Sequence, residues 1–309
     1  MRIGTIAQHA NIGPKKVTDI VHNTIPGRIN DFPVWAWWDF TDDIAVGGGS
    51  APLDLEDFSV GTTTENGGKI ATNILQCDGK GPYDADLSTD DQGKGPDWFP
   101  ANHPSSGQDG YPFLRSVDAS VEYMQFTNPA NLAYRDFTII MVMDKVGDTN
   151  SSIDEYLFTI GSTGESMQVY TQKNSNTLIT FFEGSSHARV YDNFWTGQSS
   201  GDFNYNFNWI AFTSNKSTNK IDLYSRGVLQ TPDVDSGTVS TDNIASGAVS
   251  VILGNDSNTN NVLTAKSPGL RLYEFLVYEK ALTAQDLYSF DRYIGDKYST
   301  YPYGRFGNI

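Results

Sequence analysis

The chain has 309 residues, 38% of them hydrophobic, and a formal net charge of −16 at pH 7. This length and apolar content suffice for a full core, and a large sandwich can use more than about 200 residues as one domain. The negative charge argues against a nucleic-acid partner, because phosphates repel an acidic surface. The single cysteine, Cys77, excludes an intramolecular disulfide framework and any site with several cysteine ligands.

The first segment, residues 1–32, is a mildly basic arm. It carries Arg2, Lys15, Lys16 and Arg28 against two acidic side chains, whereas the rest of the chain is acidic. The arm is too short and too weakly apolar to fold alone, so we predict that it straps along the body or docks on another subunit. Its start lacks the apolar core of a signal peptide and no apolar run reaches 18 residues, so we expect neither an export signal nor a membrane span.

Residues 33–298 are predicted to form the main body, which begins with a strand at Val34–Phe40. Alternation along this strand divides its side chains between two faces, Trp35 and Trp37 against Ala36, Trp38 and Phe40. Apolar side chains on both faces are typical of a strand that is covered on both sides, and they favour core packing over sugar binding.

The next segment, Thr41–Gly110, is rich in glycine, aspartate and threonine, and a strand is predicted only near Lys69–Gln76. Such long irregular stretches are uncommon and tend to be functional. Within it, Asp84, Asp86 and Asp90 present oxygen ligands at alternate positions, without the spacing of an EF-hand. The segment is therefore either a calcium site or a solvated acidic loop, and we expect no other cofactor.

Ten short strands then follow in quick succession, separated by turn residues such as Gly161 and Arg226-Gly227. They are predicted at Phe113–Val117, Tyr123–Phe126, Phe137–Met143, Tyr156–Ile160, Met167–Tyr170, Leu178–Phe182, Ala188–Tyr191, Trp209–Thr213, Ile221–Tyr224 and Val249–Leu253. This spacing indicates an all-β protein, either a sandwich or a barrel.

The last predicted strand, Leu270–Tyr278, is apolar on both faces. Alternation assigns Leu270, Leu272, Leu276 and Tyr278 to one face and Tyr273, Phe275 and Val277 to the other, with Glu274 as the exception on the first face.

A helix is predicted after this strand. Thr283 is placed to cap it, and Asp286 occupies the reciprocal third position. Its apolar side chains recur at helical spacing, at Leu287, Phe290, Ile294 and Tyr298. The helix is therefore expected to pack one stripe on the sheet.

The closing segments Glu274–Tyr278, Ala281–Thr283 and Tyr293–Tyr298 resemble the last strand and helix of laminin-G-like domains. Other segments match that family in order, at Trp35–Asp39, Tyr156–Gly161, Trp209–Thr213, Ile221–Tyr224 and Ile252–Gly254. The resemblance implies a concanavalin A-like jelly-roll β-sandwich with a short C-terminal helix, followed by a tail at residues 299–309. It also implies that Glu274 belongs to the scaffold.

No residues in the sequence point to catalysis. A retaining glycosidase needs two carboxylates about 5 Å apart, and the Glu-x-Asp-x-x-Glu spacing of laminarinase-type enzymes is missing. Asp154-Glu155 is expected to be a pair of solvated charges, and the four scattered histidines, including His187, are expected at the surface. We therefore predict that the protein is not an enzyme, and a glycoside hydrolase or lyase is the least favoured function.

Two non-catalytic functions remain open. The first is a phage virion protein, such as a capsid-decoration, head-fibre or tail component, which docks as a symmetric oligomer with other virion proteins and displays a lectin-like sandwich. The second is a secreted, extracellular carbohydrate-binding module whose loop aromatics stack on sugars. The candidate stacking residues are Trp98, Phe99, Tyr111, Trp195, Tyr205 and Phe207, although aromatics in long loops also fasten the loop to the body.

Overall fold

The structure is a computed structural model, and it describes residues 28–29, 32–41, 62–65, 68–71, 76–77, 87–88, 95–99, 111–116, 122–127, 136–145, 154–162, 165–172, 175–182, 187–195, 207–215, 217–218, 220–236, 249–253 and 269–298. These residues form two antiparallel sheets and one helix, so the protein is an all-β sandwich. In the described part of the chain, no helix has the length and apolar character that crossing a membrane requires.

The larger sheet has 11 strands. They are β1 (Arg28–Ile29), β2 (Phe32–Asp39), β3 (Thr62–Glu65), β4 (Gly68–Ala71), β7 (Asp97–Phe99), β8 (Phe113–Ser116), β10 (Phe137–Lys145), β15 (Phe207–Asn215), β16 (Lys220–Ser225), β17 (Val228–Leu229) and β20 (Leu270–Tyr278). Its main order is β17-β16-β15-β10-β20-β8-β7-β4-β3, and β2 pairs with β20 and β1.

The smaller sheet has nine strands. They are β5 (Gln76–Cys77), β6 (Leu87–Ser88), β9 (Met124–Thr127), β11 (Glu155–Ser162), β12 (Glu165–Thr171), β13 (Leu178–Phe182), β14 (His187–Tyr191), β18 (Val234–Ser236) and β19 (Val249–Ile252). Their order is β18-β14-β13-β12-β11-β19-β9-β6-β5, so β18 forms one edge.

The main hydrophobic cluster fills the space between the two sheets. Phe158 of the nine-stranded sheet lies 5.3 Å from Phe212 and 5.9 Å from Phe275, between ring centroids, and Trp38 lies 5.1 Å from Phe126. Removing one large buried ring typically costs about 3–5 kcal/mol, so these contacts contribute strongly to holding the sheets together.

The helix α1 (Ala284–Tyr298) packs on the outer face of the 11-stranded sheet. The predicted cap is confirmed, because Asp286 N donates to Thr283 Oγ1 at 3.3 Å and Thr283 N donates to Asp286 Oδ2 at 2.8 Å. The predicted apolar stripe is also confirmed, since all four of its members are buried against the sheet: Leu287, Phe290, Ile294 and Tyr298.

A β-bulge in β20 changes the faces that alternation predicts. The register against β10 passes from Glu274 directly to Leu272, so Tyr273 is an extra residue. The predicted division of this strand is therefore wrong beyond the bulge. The core between the sheets receives Leu270, Leu272, Phe275 and Val277, and the helix side receives Tyr273, Glu274, Leu276 and Tyr278.

A similar bulge occurs in β2, where the register against β20 passes from Val34 to Ala36. Alternation predicted that Trp35 and Trp37 share a face, but the bulge places them on opposite faces. Trp35 joins Ala36, Trp38 and Phe40 between the sheets, whereas Trp37 faces the helix.

The segment Thr41–Gly110 contains more strands than the sequence predicted. Instead of one strand near Lys69–Gln76, the structure has five short strands, β3 to β7. All five have only two to four residues and little apolar alternation, so the sequence pattern did not predict them. In the arm, Arg28 lies in β1 opposite Pro33, and Arg2, Lys15, Lys16 and the tail lie outside the described residues.

Candidate functional site

The two outer faces of the sandwich differ in what covers them. Helix α1 covers the outer face of the 11-stranded sheet and forms a second hydrophobic cluster there. No described helix lies on the outer face of the nine-stranded sheet.

Five strands of the nine-stranded sheet place one apolar or aromatic side chain each in a single row. The residues face one another directly across β18, β14, β13, β12 and β11. Their burial ranges from 7% exposed for Ile179 to 50% exposed for Val234. We call them the outer-face row: Val234, Val190, Ile179, Tyr170 and Tyr156.

Local alternation explains why these side chains point outward. In β14 the burial alternates, with His187, Arg189 and Tyr191 buried and Ala188 and Val190 partly exposed. Side chains of neighbouring strands that lie opposite each other share a face, so the outward position of Val190 fixes that of its partners in the row.

The row ends in a pair of tyrosines. The rings of Tyr156 and Tyr170 are 5.0 Å apart between centroids and nearly parallel, at an angle of 30°. Burial, with a further contribution from the charge of Asp154, raises the pKa of Tyr170 to about 12. The hydroxyl of Tyr170 therefore stays protonated at neutral pH and can donate a hydrogen bond.

A set of polar residues lies just beyond the ends of these five strands. Asp154, Gln172, Thr177 and Asp192 are two positions from the member of the outer-face row on the same strand, and Asp233 is one position from Val234. Gln172 N donates to Thr177 O at 3.0 Å, Thr177 Oγ1 donates to Asp192 Oδ1 at 3.0 Å, and Asp192 N donates to Asp233 Oδ2 at 2.7 Å. Asp154 lies at the other end, close enough to raise the pKa of Tyr170. We call this set the polar row; Asp192 and Asp233 are exposed and Asp154 is half-buried.

Arg189 is the only lysine or arginine in the described strands of the nine-stranded sheet, and it points into the sandwich. Its Nη2 lies 3.1 Å from Asp235 Oδ2, its Nη1 lies 3.4 Å from Asp222 Oδ1, and it also donates to the carbonyl oxygen of Ile221. It therefore links the two sheets at their edge. His187, predicted at the surface, is buried beside it, with Nε2 3.4 Å from Asp235 Oδ1.

Glu274 lies at the centre of a buried polar network under α1. Its carboxylate accepts hydrogen bonds from Trp37 Nε1 at 3.0 Å, Tyr293 Oη at 3.0 Å, Tyr298 Oη at 2.7 Å and Lys297 Nζ at 2.9 Å. Burial raises the pKa of Glu274, and the charge of Lys297 opposes that rise. These donors engage both oxygens, as expected for a scaffold residue.

Lys297 connects this network to the first long strand. Its Nζ also donates to Asp39 Oδ2 at 2.8 Å, and Asp39 Oδ1 accepts from Thr41 Oγ1 at 2.6 Å. Burial lowers the pKa of Lys297, but the charges of Asp39 and Glu274 outweigh burial, so the pKa is raised and the ammonium stays charged. The helix is thus fastened to β2 and β20 by an ion triad.

A second charged row crosses the 11-stranded sheet. Asp97, Arg115, Arg271 and Asp144 lie opposite one another on β7, β8, β20 and β10. Arg271 Nη1 lies 3.2 Å from Asp144 Oδ2, and both side chains are buried. Burial raises the pKa of Asp144 to about 6 against the opposing effect of Arg271. With both groups of this pair buried, it has a structural role.

The loop aromatics proposed from the sequence as stacking residues are mostly internal. Trp98 and Trp195 are each 2% exposed, and their indole nitrogens donate to Phe40 O and Thr171 Oγ1, both at 3.1 Å. Phe99 is equally buried, so none of the three presents a ring face to solvent. This placement favours the alternative in which such aromatics fasten loops to the body.

The remaining candidate stacking residues are Tyr111, Tyr205 and Phe207. Tyr111 is half-buried, and its hydroxyl donates a hydrogen bond to the carbonyl oxygen of Lys297. Its ring centroid lies 4.9 Å from that of Tyr298. Tyr205 and the side chain of Phe207 lie outside the described residues. The outer-face row was not predicted from the sequence, although the alternation in β14 indicates an outward Val190.

Among the described residues, no group of three or more histidine, cysteine, aspartate or glutamate side chains could hold a metal ion. Asp84, Asp86 and Asp90 lie outside that part of the chain, so the calcium site stays a prediction. Of the Asp154-Glu155 pair, expected to be solvated, Glu155 is buried and Asp154 is half-buried.

No protein-family model and no curated protein matches the sequence. Similar solved structures include the botulinum neurotoxin serotype D binding domain, with 13% identity, a TM-score of 0.49 and coverage of 71% of this chain and 50% of that chain. The ligand-binding domain of the same serotype in complex with N-acetylneuraminic acid gives 12%, 0.48, 71% and 50%. The binding domain of botulinum neurotoxin DC in complex with rat synaptotagmin II gives 11%, 0.49, 71% and 51%.

The chain therefore spans about half the length of these structures. At such identities and TM-scores the similarity carries no argument about the ligand or partner of this chain. The sandwich architecture rests on the strand pairing described above.

Proposed function

We propose that this protein is a non-catalytic binding protein of the laminin-G-like, concanavalin A-like type, which holds a glycan on the outer face of the nine-stranded sheet. The observation that carries the proposal is the outer-face row, because five strands align apolar and aromatic side chains on the face without a described helix. Four of the five side chains, all but Ile179, are partly or fully exposed, and exposed apolar patches mark binding sites.

The two rows suit the two chemical surfaces of a sugar. A pyranose ring has apolar C–H faces and polar hydroxyl edges, and binding sites for small ligands combine an apolar lining with a few placed polar groups. The outer-face row supplies the apolar lining, and the Tyr170 hydroxyl supplies a donor. The carboxylates of Asp154 and Asp192 supply acceptors for sugar hydroxyls.

The state of Glu274 supports a non-catalytic role. A general acid or nucleophile must reach the substrate, but the Glu274 carboxylate is fully buried and engaged by four donors. Turnover on a panel of polysaccharides would contradict this part of the proposal and favour a glycoside hydrolase.

A glycan array with matched variants tests the proposal. Tyr170→Ala and Tyr156→Ala are each expected to weaken binding about fivefold, since an aromatic contact contributes on the order of 1 kcal/mol. Tyr288→Ala is the control, because Tyr288 is 36% exposed on α1, on the other side of the sandwich. Tyr170→Phe keeps the ring and removes the hydroxyl, so it measures the contribution of the hydroxyl alone to binding. Absence of any glycan binding, or full binding by Tyr170→Ala, would contradict the proposal.

A second candidate function is assembly, as a virion component or another surface oligomer. The specific observation is the segment Val228–Ser236, which runs from the edge of one sheet to the edge of the other. It exposes Val228, Leu229 and Val234 at 49%, 53% and 50%. Exposed apolar residues at a sheet edge can pair with another chain.

Assembly is tested by the molecular mass in solution. Leu229→Ser and deletion of residues 1–27 should each lower the mass measured by light scattering while the circular dichroism spectrum is kept. A monomeric wild-type protein would refute self-association, and incorporation of the truncated protein into particles would refute a docking role for the arm. A virion protein and a secreted carbohydrate-binding module could both present the same glycan-binding face.

A further inference from the structure

We infer that the glycan held by the outer-face row is a neutral oligosaccharide lying along the row, and that the polar row discriminates against glycans with acidic groups. This inference rests on the proposed function. It adds the charge of the ligand, its approximate length in linked sugars and its orientation on the sheet.

The charge class follows from the side chains around the row. The polar row contributes three carboxylates, Asp154, Asp192 and Asp233, of which the last two are exposed. In the described strands of the same sheet the one positive side chain is Arg189, which is buried and paired with Asp222 and Asp235. A sulfate, sialic acid or uronic acid on this face would meet like charges with no described counter-charge. Like-charge contacts of this kind weaken the binding of acidic glycans and leave the binding of neutral glycans largely unaffected.

The length class follows from the strand spacing. Val234 and Tyr156 are four strand spacings apart, and neighbouring strands lie about 4.8 Å apart, so the row is about 19 Å long. A site of this length contacts several linked sugars, not one. A single sugar would leave most of the aligned apolar surface in water.

The direction follows from the distance between the two rows. Side chains two positions apart on a strand are separated by about 7 Å and share a face. A sugar chain along the outer-face row therefore places its hydroxyl edge beside the exposed residues Gln172 and Asp192, whereas Thr177 is buried. The Thr177 hydroxyl donates to Asp192 Oδ1 at 3.0 Å and so holds that carboxylate in position. This bond does not use Oδ2, which is the oxygen that we expect to accept from the sugar.

The test uses chemically matched pairs of ligands. Six-sugar chains from cellulose, chitin, mannan and starch are each compared with a monosulfated derivative of the same chain, by calorimetry at 20 mM and 1 M NaCl. For every chain that binds, sulfation should weaken binding about tenfold at low salt, which corresponds to about 1.4 kcal/mol. The difference should shrink at high salt, because salt screens charges at the surface.

Variants separate the charge effect from the binding itself. Asp154→Asn combined with Asp192→Asn removes two negative charges and keeps an amide oxygen as acceptor at each position, so the ratio of the neutral to the sulfated affinity at low salt should fall to about threefold. Glu279→Gln, in the turn before α1, removes one charge elsewhere and should leave the penalty unchanged. Equal or tighter binding of the sulfated chains would overturn the inference and leave the proposed function standing. If neither member of any pair binds and the array is also negative, the proposed function itself fails.

Discussion

Substitution of Lys297 by methionine should destabilise the protein strongly. Lys297 Nζ lies 2.8 Å from Asp39 Oδ2 and 2.9 Å from Glu274 Oε1, and these two acidic side chains are 5% and 0% exposed. Without the ammonium, two buried carboxylates remain with no counter-charge from this residue. Removing one partner of a buried ion pair typically costs about 3–5 kcal/mol, so we expect a loss of that size in the free energy of unfolding at pH 7.

The loss should become smaller at low pH. Burial raises the pKa of Glu274 above its ordinary value of 4.5, so the folded protein binds this proton more tightly than the unfolded chain does. The stability from such a group is fully present below the unfolded pKa and is lost as the pH rises through the folded pKa. Lys297→Met removes the charge that opposes the rise, so the variant should regain stability as the pH falls from 7 towards 4.5.

Guanidinium unfolding, followed by tryptophan fluorescence and circular dichroism, measures this loss as a shift of the midpoint at unchanged slope. Lys220→Met is the control, because Lys220 is exposed at the start of β16. Surface substitutions of that kind usually change the free energy of unfolding by less than about 0.5 kcal/mol. Adding Glu274→Gln to Lys297→Met should recover part of the loss. A cost below about 1 kcal/mol for Lys297→Met would refute the ion triad.

Two further predictions concern the helix cap and the buried pair of the 11-stranded sheet. Thr283→Ala removes the cap that bonds to Asp286 N and should lower the free energy of unfolding by about 1 kcal/mol, whereas Ser289→Ala, on the exposed side of the helix, should change it by less than about 0.5 kcal/mol. Burial raises the pKa of Asp144 from 3.8 to about 6, against the opposing effect of Arg271, so the stability from this group should fall as the pH rises through 6. Asp144→Asn should flatten the profile of unfolding free energy between pH 4 and 7, and an unchanged profile would contradict the shift.

Local patterns were sufficient to predict the end of the chain. The bounds of β20 agree with the prediction, and the cap at Thr283 and the buried stripe of α1 are confirmed. The cap and the stripe depend on residues that are three or four positions apart, and the sequence displays that spacing directly.

The faces of the long strands could not be predicted in the same way. Alternation holds only while the strand has no bulge, and one extra residue moves every later side chain to the other face. The bulges at Trp35 and Tyr273 are defined by the register against a partner strand. The sequence of one strand does not contain that register.

The outer-face row was missed for a related reason. Each of its five strands contributes a single residue, and β18, which supplies Val234, has only three residues, all of them exposed. No stretch of sequence shows the row. It arises when the register of four strand pairs brings Val234, Val190, Ile179, Tyr170 and Tyr156 opposite one another.

The bulge at Tyr273 connects the scaffold to the face that we propose for binding. Because Tyr273 is an extra residue, Glu274 lies on the outer side of the 11-stranded sheet instead of in the core between the sheets. There its carboxylate accepts hydrogen bonds from Tyr293, Lys297 and Tyr298 of α1, which fastens the helix to that sheet. The helix covers this outer face, so the outer face of the nine-stranded sheet is the one without a described helix. One inserted residue thus places Glu274 on the side of the sheet where these three side chains of α1 bond to it.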